Sequence, residues 1–398
     1  MPKRSTGRYE RIRVAGEESA AFIPFALPPA APPLAIDSGL VERLRSAEQA
    51  LVRLELAGEM VPSLDGFIYA FVRKEAVVSS QIEGTQATLV DLLNFEAQEV
   101  GGEAPDATRP IADVEEICNY LDALSYAREQ LSDSGGLPLS MRLLKETHQR
   151  LMRGVRGAEK LPGELRRSQN WVGGSRPGNA VYVPPPPHAL GEVLGAFERY
   201  LHADDALHPL VRAGLLHVQF ETIHPYLDCN GRIGRLLITL LLEHWKQLSK
   251  PLLYLSIFFK RHREEYYRRL NAVRIEGDWE GWLDFFLEGV ATIADEAVDS
   301  ARELFALIAA DRTRVLAHKE MSLSALRLFE LLPRYPIVQV ASVMRLVETT
   351  KPTAGKAIDL LVRAGVLVES TGKKRDRSFA YRAYLDRLKV GTELVRER

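Results

Sequence analysis

The run of residues from His224 to Arg235 contains side chains that could carry out chemistry on a phosphate group. It reads HPYLDCNGRIGR, so a histidine, an acid, a Gly-containing turn and two arginines lie close together in the chain. His224 is a candidate general base, because a neutral imidazole can accept a proton near pH 7. Asp228 is a candidate metal ligand, because carboxylate oxygens are donors that Mg²⁺ prefers.

The apolar run Leu236–Leu242 follows directly, so the sequence predicts that a loop becomes a helix at this point. The first turn of a helix presents unpaired N–H groups and a partial positive charge, which favour a bound anion. Arg232 and Arg235 are three residues apart and lie on one face of that turn. Their guanidinium groups can therefore bind the same polyphosphate. The segment predicts a nucleotide-phosphate site with a base beside it.

The composition narrows the class of protein. At 398 residues the chain has room for roughly two or three domains, and its formal net charge of −1 gives no general attraction for a polyanion. The only cysteines are Cys118 and Cys229, which argues against a disulfide framework and for a reducing compartment. The first residues are charged and lack an apolar segment, so we expect no signal peptide, and no apolar run is long enough to cross a bilayer. We expect a cytoplasmic protein without a membrane segment.

Apolar residues at helical spacing dominate the chain, so we predict a mainly α fold. Residues 1–36 are charged and then proline-rich, and we expect an extended lead-in rather than a helix. Helices are predicted from residue 37 and at about 66–78, 86–98, 110–133, 139–153, 189–202, 209–222, 231–248, 262–275 and 279–310. Glycines and prolines at 162–187 predict a β-hairpin followed by a polyproline turn. After residue 320, three short helices and a strand pair predict a winged helix-turn-helix.

The segment His224–Arg235 resembles the signature of the Fic family, His-x-Phe-x-(Asp/Glu)-Gly-Asn-Gly-Arg-x-x-Arg. Enzymes of this family transfer AMP from ATP onto protein hydroxyls. Residues 79–84 (SSQIEG) resemble the family's inhibitory helix motif, (Ser/Thr)-x-x-x-Glu-(Gly/Asn), and 162–187 looks like its flap. The stretch with Tyr266, Tyr267 and Asn271 looks like its adenine-side helix. The resemblance covers roughly residues 20–385 and implies a Fic-type helical bundle with a β-hairpin flap and a C-terminal winged helix-turn-helix domain.

The resemblance implies a role for each residue of the site. His224 would be the catalytic base and Asp228 the ligand of Mg²⁺, with ATP as the substrate. The nucleotide-binding residues would be Cys229, Asn230, Gly231, Arg232, Gly234, Arg235, Tyr267 and Asn271. Glu83 would pair with Arg235 and inhibit the enzyme, and Ser79 would brace the helix that carries Glu83. AMP would pass to a Ser, Thr or Tyr hydroxyl of a target protein or of the chain itself, and we expect a homodimer.

Two positions depart from the family signature. Tyr226 stands where the signature has Phe, and its ring can fill the same pocket provided that the hydroxyl finds a partner. Cys229 stands where the signature has Gly, so a Cβ lies where the backbone would approach a phosphate. We interpret Cys229 as a small apolar filler, with redox sensing as the alternative.

These patterns divide the chain into three regions. Residues 1–108 hold the lead-in and the first helices, including the inhibitory helix at about 66–84. Residues 109–310 form the catalytic core with its flap, and 320–390 form the winged helix. The winged helix could contact DNA, although such domains also bind proteins. Its basic residues are Lys351, Lys356 and Arg363 on the helix 350–364 and Lys373, Lys374, Arg375 and Arg377 on the wing.

Other functions stay open at the level of sequence. A Fic-like enzyme could remove AMP from a protein or transfer another phosphate-linked group. A different alternative is a DNA-binding regulator whose nucleotide site only senses its ligand. The chain has no HExxH or GxGxxG pattern, which argues against a metal hydrolase and a dinucleotide enzyme.

Overall fold

The structure is a computed structural model that describes residues 4–14, 16–59, 64–102, 111–154, 159–372 and 377–394. The chain divides into two compact units. The first unit contains the described residues of Met1–Val52 and Asn119–Ile293. The second contains those of Arg53–Cys118 and Ala294–Arg398.

The chain is mainly helical, as the periodicity predicts. The helices are α1 (Ser38–Glu59), α2 (Leu64–Ile82), α3 (Leu89–Gly101), α4 (Ile111–Ser132), α5 (Met141–Leu151), α6 (Leu190–Leu201), α7 (Pro209–Ile223), α8 (Asn230–His244), α9 (Ser256–Arg261), α10 (Arg263–Glu276), α11 (Trp279–Leu316), α12 (Leu323–Leu331), α13 (Val340–Leu346), α14 (Lys351–Arg363) and α15 (Arg382–Leu388). The strands are β1 (Gly7–Val14), β2 (Glu17–Pro24), β3 (Ile337–Gln339), β4 (Val368–Glu369) and β5 (Ser378–Ala380). None of the described helices is both long and apolar enough to span a membrane.

Some predicted boundaries were wrong, and each error has a local cause. Helix α8 ends at His244 rather than at residue 248, because Lys246 adopts a φ of 55° that a helix cannot continue through. Helix α9 was not predicted, since its six residues are too few to show a helical period. Residues Ile337–Gln339 form β3 before α13, a strand beyond the pair that was predicted after residue 320.

In the first unit, α7 and α8 form the buried centre. Every residue of α7 from Leu210 to Ile223 is buried, and α8 is buried from Arg232 to Leu242. Both helices also carry buried polar side chains, so they are enclosed on every face and those side chains need partners inside the protein. The candidate phosphate segment connects these two buried helices.

The N-terminal lead-in is extended, and it also forms a hairpin that the sequence analysis did not predict. Strands β1 and β2 pair antiparallel from Gly7 opposite Pro24 to Val14 opposite Glu17. The predicted flap hairpin is present in reduced form, as an antiparallel pair between Val172 and Tyr182. The hairpin and the flap are joined, because the Phe22 amide donates to the Val183 carbonyl at 2.9 Å.

The second unit combines the α2–α3 region with the C-terminal elements. Strands β3, β5 and β4 form an antiparallel sheet in that order, and α13 contacts β3, α12 and α14. The Arg345 guanidinium of α13 donates to the carbonyl of Val100 at the end of α3, and the Gln81 amide of α2 donates to the carbonyl of Thr392. The predicted basic turn Lys373–Arg375 lies outside the described residues, and the winged-helix assignment stays a prediction.

Candidate active site

His224 lies at the end of α7 with its ring oriented by the helix. Its backbone is left-handed, with a φ of 49°, and its amide donates to the Phe220 carbonyl at 2.9 Å. The ring atom Nδ1 lies 3.3 Å from the carbonyl oxygen of Glu221. A carbonyl oxygen can only accept, so Nδ1 carries a proton in this contact. The His224 ring is therefore held through Nδ1 at the end of α7.

Arg166 holds the backbone on the inner side of His224. Its Nε donates to the His224 carbonyl at 2.9 Å, and its Nη2 donates to the Ile223 and Pro185 carbonyls. These carbonyls belong to the end of α7 and to the polyproline turn, where helical partners are missing. Burial lowers the pKa of Arg166 to about 10. Arg166 lies in the predicted flap segment, where the sequence pattern indicates no role for it.

The turn after His224 is held by two asparagines. The Asn230 side chain accepts from the Tyr226 amide and donates to the Tyr226 carbonyl, both at 2.9 Å. The Asn170 side chain donates to the same carbonyl at 3.1 Å. Both polar atoms of the Asn230 side chain are used inside the turn, so this residue fixes the loop.

Cys229 occupies the position at which the family signature has Gly. It precedes α8 with φ 59° and ψ 16°, a left-handed conformation that glycine adopts without strain. Its amide donates to Oδ1 of Asp228 at 2.7 Å, and Arg232 Nη2 lies 2.8 Å from its Sγ. The side chain is buried. The turn is therefore formed despite the Cβ, with the thiol against a guanidinium group.

The first turns of α8 bring the two arginines to the same place. Arg232 and Arg235 are both buried. Gly234 lies between them, and an added Cβ there would come within 2.3 Å of Oε1 of Glu221 in α7. A side chain at this position would therefore displace the Glu221 carboxylate. The structure thus gathers His224, Asp228, Arg232 and Arg235 around one connection, as the sequence predicted for this segment.

His148 of α5 fixes the loop that carries Asp228, a role that was not predicted. Its Nδ1 accepts from the Gly163 amide at 2.8 Å, so Nε2 carries the proton and donates to the Asp228 carbonyl at 3.2 Å. Its ring stacks on Tyr226 with centroids 3.9 Å apart. Burial lowers the pKa of His148 to about 4. The neutral His148 ring thus links the Gly163 amide to the backbone carbonyl of Asp228. Nothing in the local sequence pattern of α5 indicates these contacts.

Asp228 forms an ion pair with Lys160. The Lys160 Nζ donates to Oδ2 of Asp228 at 2.6 Å. Burial alone would raise the pKa of Asp228, but the hydrogen bonds from Lys160 and from the Cys229 amide outweigh it and lower the pKa. The hydrogen bond to Asp228 in turn raises the pKa of Lys160. Both groups are therefore charged at neutral pH.

Helix α10 carries the residues predicted to contact the nucleoside. Tyr266 is buried and its hydroxyl lies 2.8 Å from Nε2 of His217, so it is part of the core. Tyr267 is 42% exposed. Asn271 lines a cavity of about 290 Å³ together with Tyr182 and Arg274. The cavity lies between the flap, the N-terminal hairpin and α10, and the Arg274 guanidinium stacks over the Tyr182 ring at 3.9 Å.

The N-terminal hairpin braces the flap at several points. Glu17 accepts from the Arg176 guanidinium at 2.6 Å and from the Gly178 amide at 2.9 Å. On the inner side, the Tyr182 hydroxyl donates to the Thr222 carbonyl at 2.6 Å, two residues before His224. The hairpin, the flap and the end of α7 are therefore connected by hydrogen bonds.

Ser79 and Glu83 belong to the second unit. Ser79 is buried in the last turn of α2, and Glu83 follows Ile82, the last residue of that helix. The chain then turns, because the amides of Glu83 and Thr85 both donate to the Ser80 carbonyl. Gly84 has a φ of 101°, a conformation that a residue with a Cβ rarely adopts. The serine, the acid and the glycine of the predicted inhibitory motif thus lie at a helix end.

Two models of known protein families match the parts of the chain that contain these residues. The model of the Fic/DOC family matches residues 138–242, which include Lys160, His224, Asp228 and both arginines. The chain carries a Fic domain. The model of the Fic/DOC family N-terminal region matches residues 41–129, which include Ser79 and Glu83.

Relatives of this Fic domain agree in sequence and in fold. The protein adenylyltransferase Fic of Drosophila erecta is 29% identical over 211 residues, which cover 52% of this chain and 38% of that protein. The protein of the same name from Culex quinquefasciatus is 31% identical over 175 residues, 44% of this chain and 32% of its own length. The matches thus span less than half of these relatives.

Solved structures show the same fold. A Fic family protein from Desulfovibrio desulfuricans has a TM-score of 0.56 and 20% identity, with 88% of this chain and 97% of that chain covered. Fic-1 from C. elegans has a TM-score of 0.50 and 20% identity, with 67% and 73% covered. The helical fold with small antiparallel sheets is therefore that of the Fic family.

Proposed function

We propose that this chain is a protein adenylyltransferase that transfers AMP from ATP to a Ser, Thr or Tyr hydroxyl of a target protein or of itself. The observation that carries the proposal is the connection between α7 and α8. It places an oriented His224 imidazole, the Asp228 carboxylate and two buried arginines around the start of one helix. The printed names of the sequence relatives support the same activity.

The reaction would use His224 as the base. Its Nε2 would take the proton of the attacking hydroxyl, whose oxygen forms a bond to the α-phosphorus of ATP. The bond from that phosphorus to the oxygen that bridges to the β-phosphate breaks, and pyrophosphate leaves. Arg232, Arg235 and the amide groups at the start of α8 would stabilise the negative charge on the phosphates. AMP would remain on the target hydroxyl.

Asp228 fits a Mg²⁺ ion that arrives with ATP. Its carboxylate is a hard oxygen donor and is 38% exposed. Among the described residues no group of three or more His, Cys, Asp or Glu side chains could hold a metal. Mg²⁺ is usually held by one or two carboxylates together with phosphate oxygens and water, so a single acid suffices. The ion would neutralise charge on the phosphates.

The nucleoside would be bound beside α10. The cavity lined by Asn271, Arg274 and Tyr182 offers polar groups and an aromatic face, and Tyr267 lies four residues before Asn271 on the same helix. The flap pair Val172–Tyr182 would present an extended target segment by main-chain hydrogen bonding. Such pairing would bring a hydroxyl to His224 with little demand on the target's sequence.

Glu83 would keep the enzyme inhibited by pairing with Arg235, with Ser79 bracing its helix. This pairing comes from the family resemblance. A charge-assisted hydrogen bond is worth about 1.5–3 kcal/mol, so its loss should raise AMP transfer by about tenfold or more. Glu83 follows the last residue of α2, so a glycine there does not interrupt the helix.

The test uses α-labelled ATP and Mg²⁺ with wild type, Glu83→Gly and His224→Ala. We expect label on protein for wild type, more for Glu83→Gly and none for His224→Ala. Gln86→Gly, in the same turn but without a carboxylate, is the matched control and should equal wild type. Label from γ-labelled ATP instead would indicate phosphate transfer. Label in none of the proteins, with folding intact, would leave an AMP-removing enzyme or a nucleotide sensor as the better function.

A second proposal is that the C-terminal elements contact duplex DNA. Lys351 and Lys356 are exposed on α14, the helix that a winged helix would place in a groove. Arg363 is paired with Glu320, and Arg377 with Glu369, which reduces the positive field. A salt-sensitive mobility shift of duplex DNA by the full chain, lost in Lys351→Ala/Lys356→Ala, would support the contact. If the full chain does not shift duplex DNA even at low salt, the proposed DNA contact is wrong.

A further inference from the structure

We propose that Lys160 is a displaceable counter-ion of Asp228, and that a divalent cation must compete with Lys160 for this carboxylate. The inference rests on the proposed function, because the cation is expected to arrive with nucleotide phosphates. The family signature runs from His224 to Arg235, so Lys160 lies outside it. The proposal therefore gives a role to a residue that the signature does not include.

Both oxygens of the Asp228 carboxylate are already engaged. Oδ1 accepts from the Cys229 amide at 2.7 Å, and Oδ2 accepts from the Lys160 ammonium at 2.6 Å. The amide contact joins two neighbouring residues of the turn, whereas the Lys160 contact is made by a long side chain from another segment. Lys160 and a metal ion would therefore compete for Oδ2.

Lys160 is held near Asp228 by the fold. The Glu164 amide donates to the Leu161 carbonyl, and the Gly163 amide donates to Nδ1 of His148. The same imidazole donates through Nε2 to the backbone carbonyl of Asp228. One buried histidine thus fixes the turn that carries Lys160 and the loop that carries its partner. The ion pair is part of the site, and not a chance contact of a long surface side chain.

The pair is also weak enough to open. The side chains of Lys160 and Asp228 are 44% and 38% exposed, so water can solvate both groups when they separate. Exposed ion pairs contribute little net free energy, and removal of such a competitor corresponds to an affinity change of about two- to fivefold. Lysine in this position would lower the occupancy of the metal site at low Mg²⁺ and so make nucleotide binding more dependent on the Mg²⁺ concentration.

The experiment measures binding and not activity. Adenosine 5′-(α,β-methylene)triphosphate, which cannot donate AMP, is titrated into wild type, Lys160→Met and Lys160→Arg by calorimetry over a series of Mg²⁺ concentrations. We expect the Mg²⁺ concentration for half-maximal binding to fall about two- to fivefold in Lys160→Met and to stay near wild type in Lys160→Arg. Lys250→Met, which removes an exposed lysine of the same unit, is the matched control. Thermal melting confirms that each variant is folded.

The possible failures are distinguishable. An unchanged half-maximal Mg²⁺ concentration in Lys160→Met, with the nucleotide still bound, would overturn the inference and leave the proposed function intact. Weaker nucleotide binding by Lys160→Met at saturating Mg²⁺ would also overturn it, because Lys160 would then be a phosphate ligand. If wild type binds no nucleotide at any Mg²⁺ concentration, the proposed function itself fails.

Discussion

Tyr226 gives a sharp test of how this site is packed. The residue is fully buried, its ring stacks on His148, and its backbone is held by the Asn230 side chain. Its hydroxyl has no hydrogen-bond partner among the described residues. Burial of a hydroxyl without a partner costs about 1–3 kcal/mol. A tyrosine at this position was expected to need a hydrogen-bond partner for its hydroxyl. No described residue supplies one.

The substitution Tyr226→Phe removes only this oxygen and keeps the ring. We expect it to raise the free energy of unfolding by about 1 kcal/mol, the lower end of the range, because the space left by the oxygen loses some contacts. The control is Tyr182→Phe. The Tyr182 hydroxyl is also buried but donates to the Thr222 carbonyl at 2.6 Å, so its removal should lower stability by about 1–2 kcal/mol.

Urea unfolding of the two variants and wild type is the assay, with stability read from the midpoint at constant slope. The two substitutions are chemically identical, so opposite signs report only on whether the hydroxyl is bonded. A loss of stability in Tyr226→Phe equal to that in Tyr182→Phe would refute the reasoning, since the Tyr226 hydroxyl would then have a partner.

Three further predictions concern the same unit. Cys229 has a φ of 59°, a conformation that glycine adopts without strain, so Cys229→Gly should be more stable than Cys229→Ala by about 0.5–1 kcal/mol in urea unfolding. This order is the reverse of that in a helix, and a more stable Ala variant would contradict the strain argument. Burial lowers the pKa of His217 from 6.5 to about 3, so only the unfolded chain is protonated between these values. Stability should therefore fall on acidification from about pH 7 to pH 3, by at most on the order of 5 kcal/mol for this group, and His217→Gln should flatten the plot of urea midpoint against pH. Glu17→Ala releases Arg176 and the Gly178 amide of the flap, so KM for a protein substrate should rise about two- to fivefold while nucleotide affinity, measured by calorimetry, stays the same.

The sequence by itself located the motif, its chemical groups and the start of the helix on which it lies. The residues from His224 to Arg235 and the apolar run after them show the local pattern of a turn followed by a helix start. Helical periods also located most of the long helices, because each period depends on residues only a few positions apart. The family resemblance pointed to the same segment, and the Fic/DOC match at residues 138–242 confirms it.

Only the tertiary structure decided which groups surround the motif. Lys160 is 68 residues before Asp228, and His148 is 80 residues before it, so neither contact leaves a local signal. The N-terminal hairpin joins the flap through an amide of Phe22 and a carbonyl of Val183, which are backbone atoms that carry no sequence information. The ring nitrogen that carries a proton in His148 and in His224 follows from carbonyl and amide partners that the fold supplies. Local order is encoded by neighbours in the chain, whereas the charge and the tautomer of each group in this site depend on partners that only folding brings into reach.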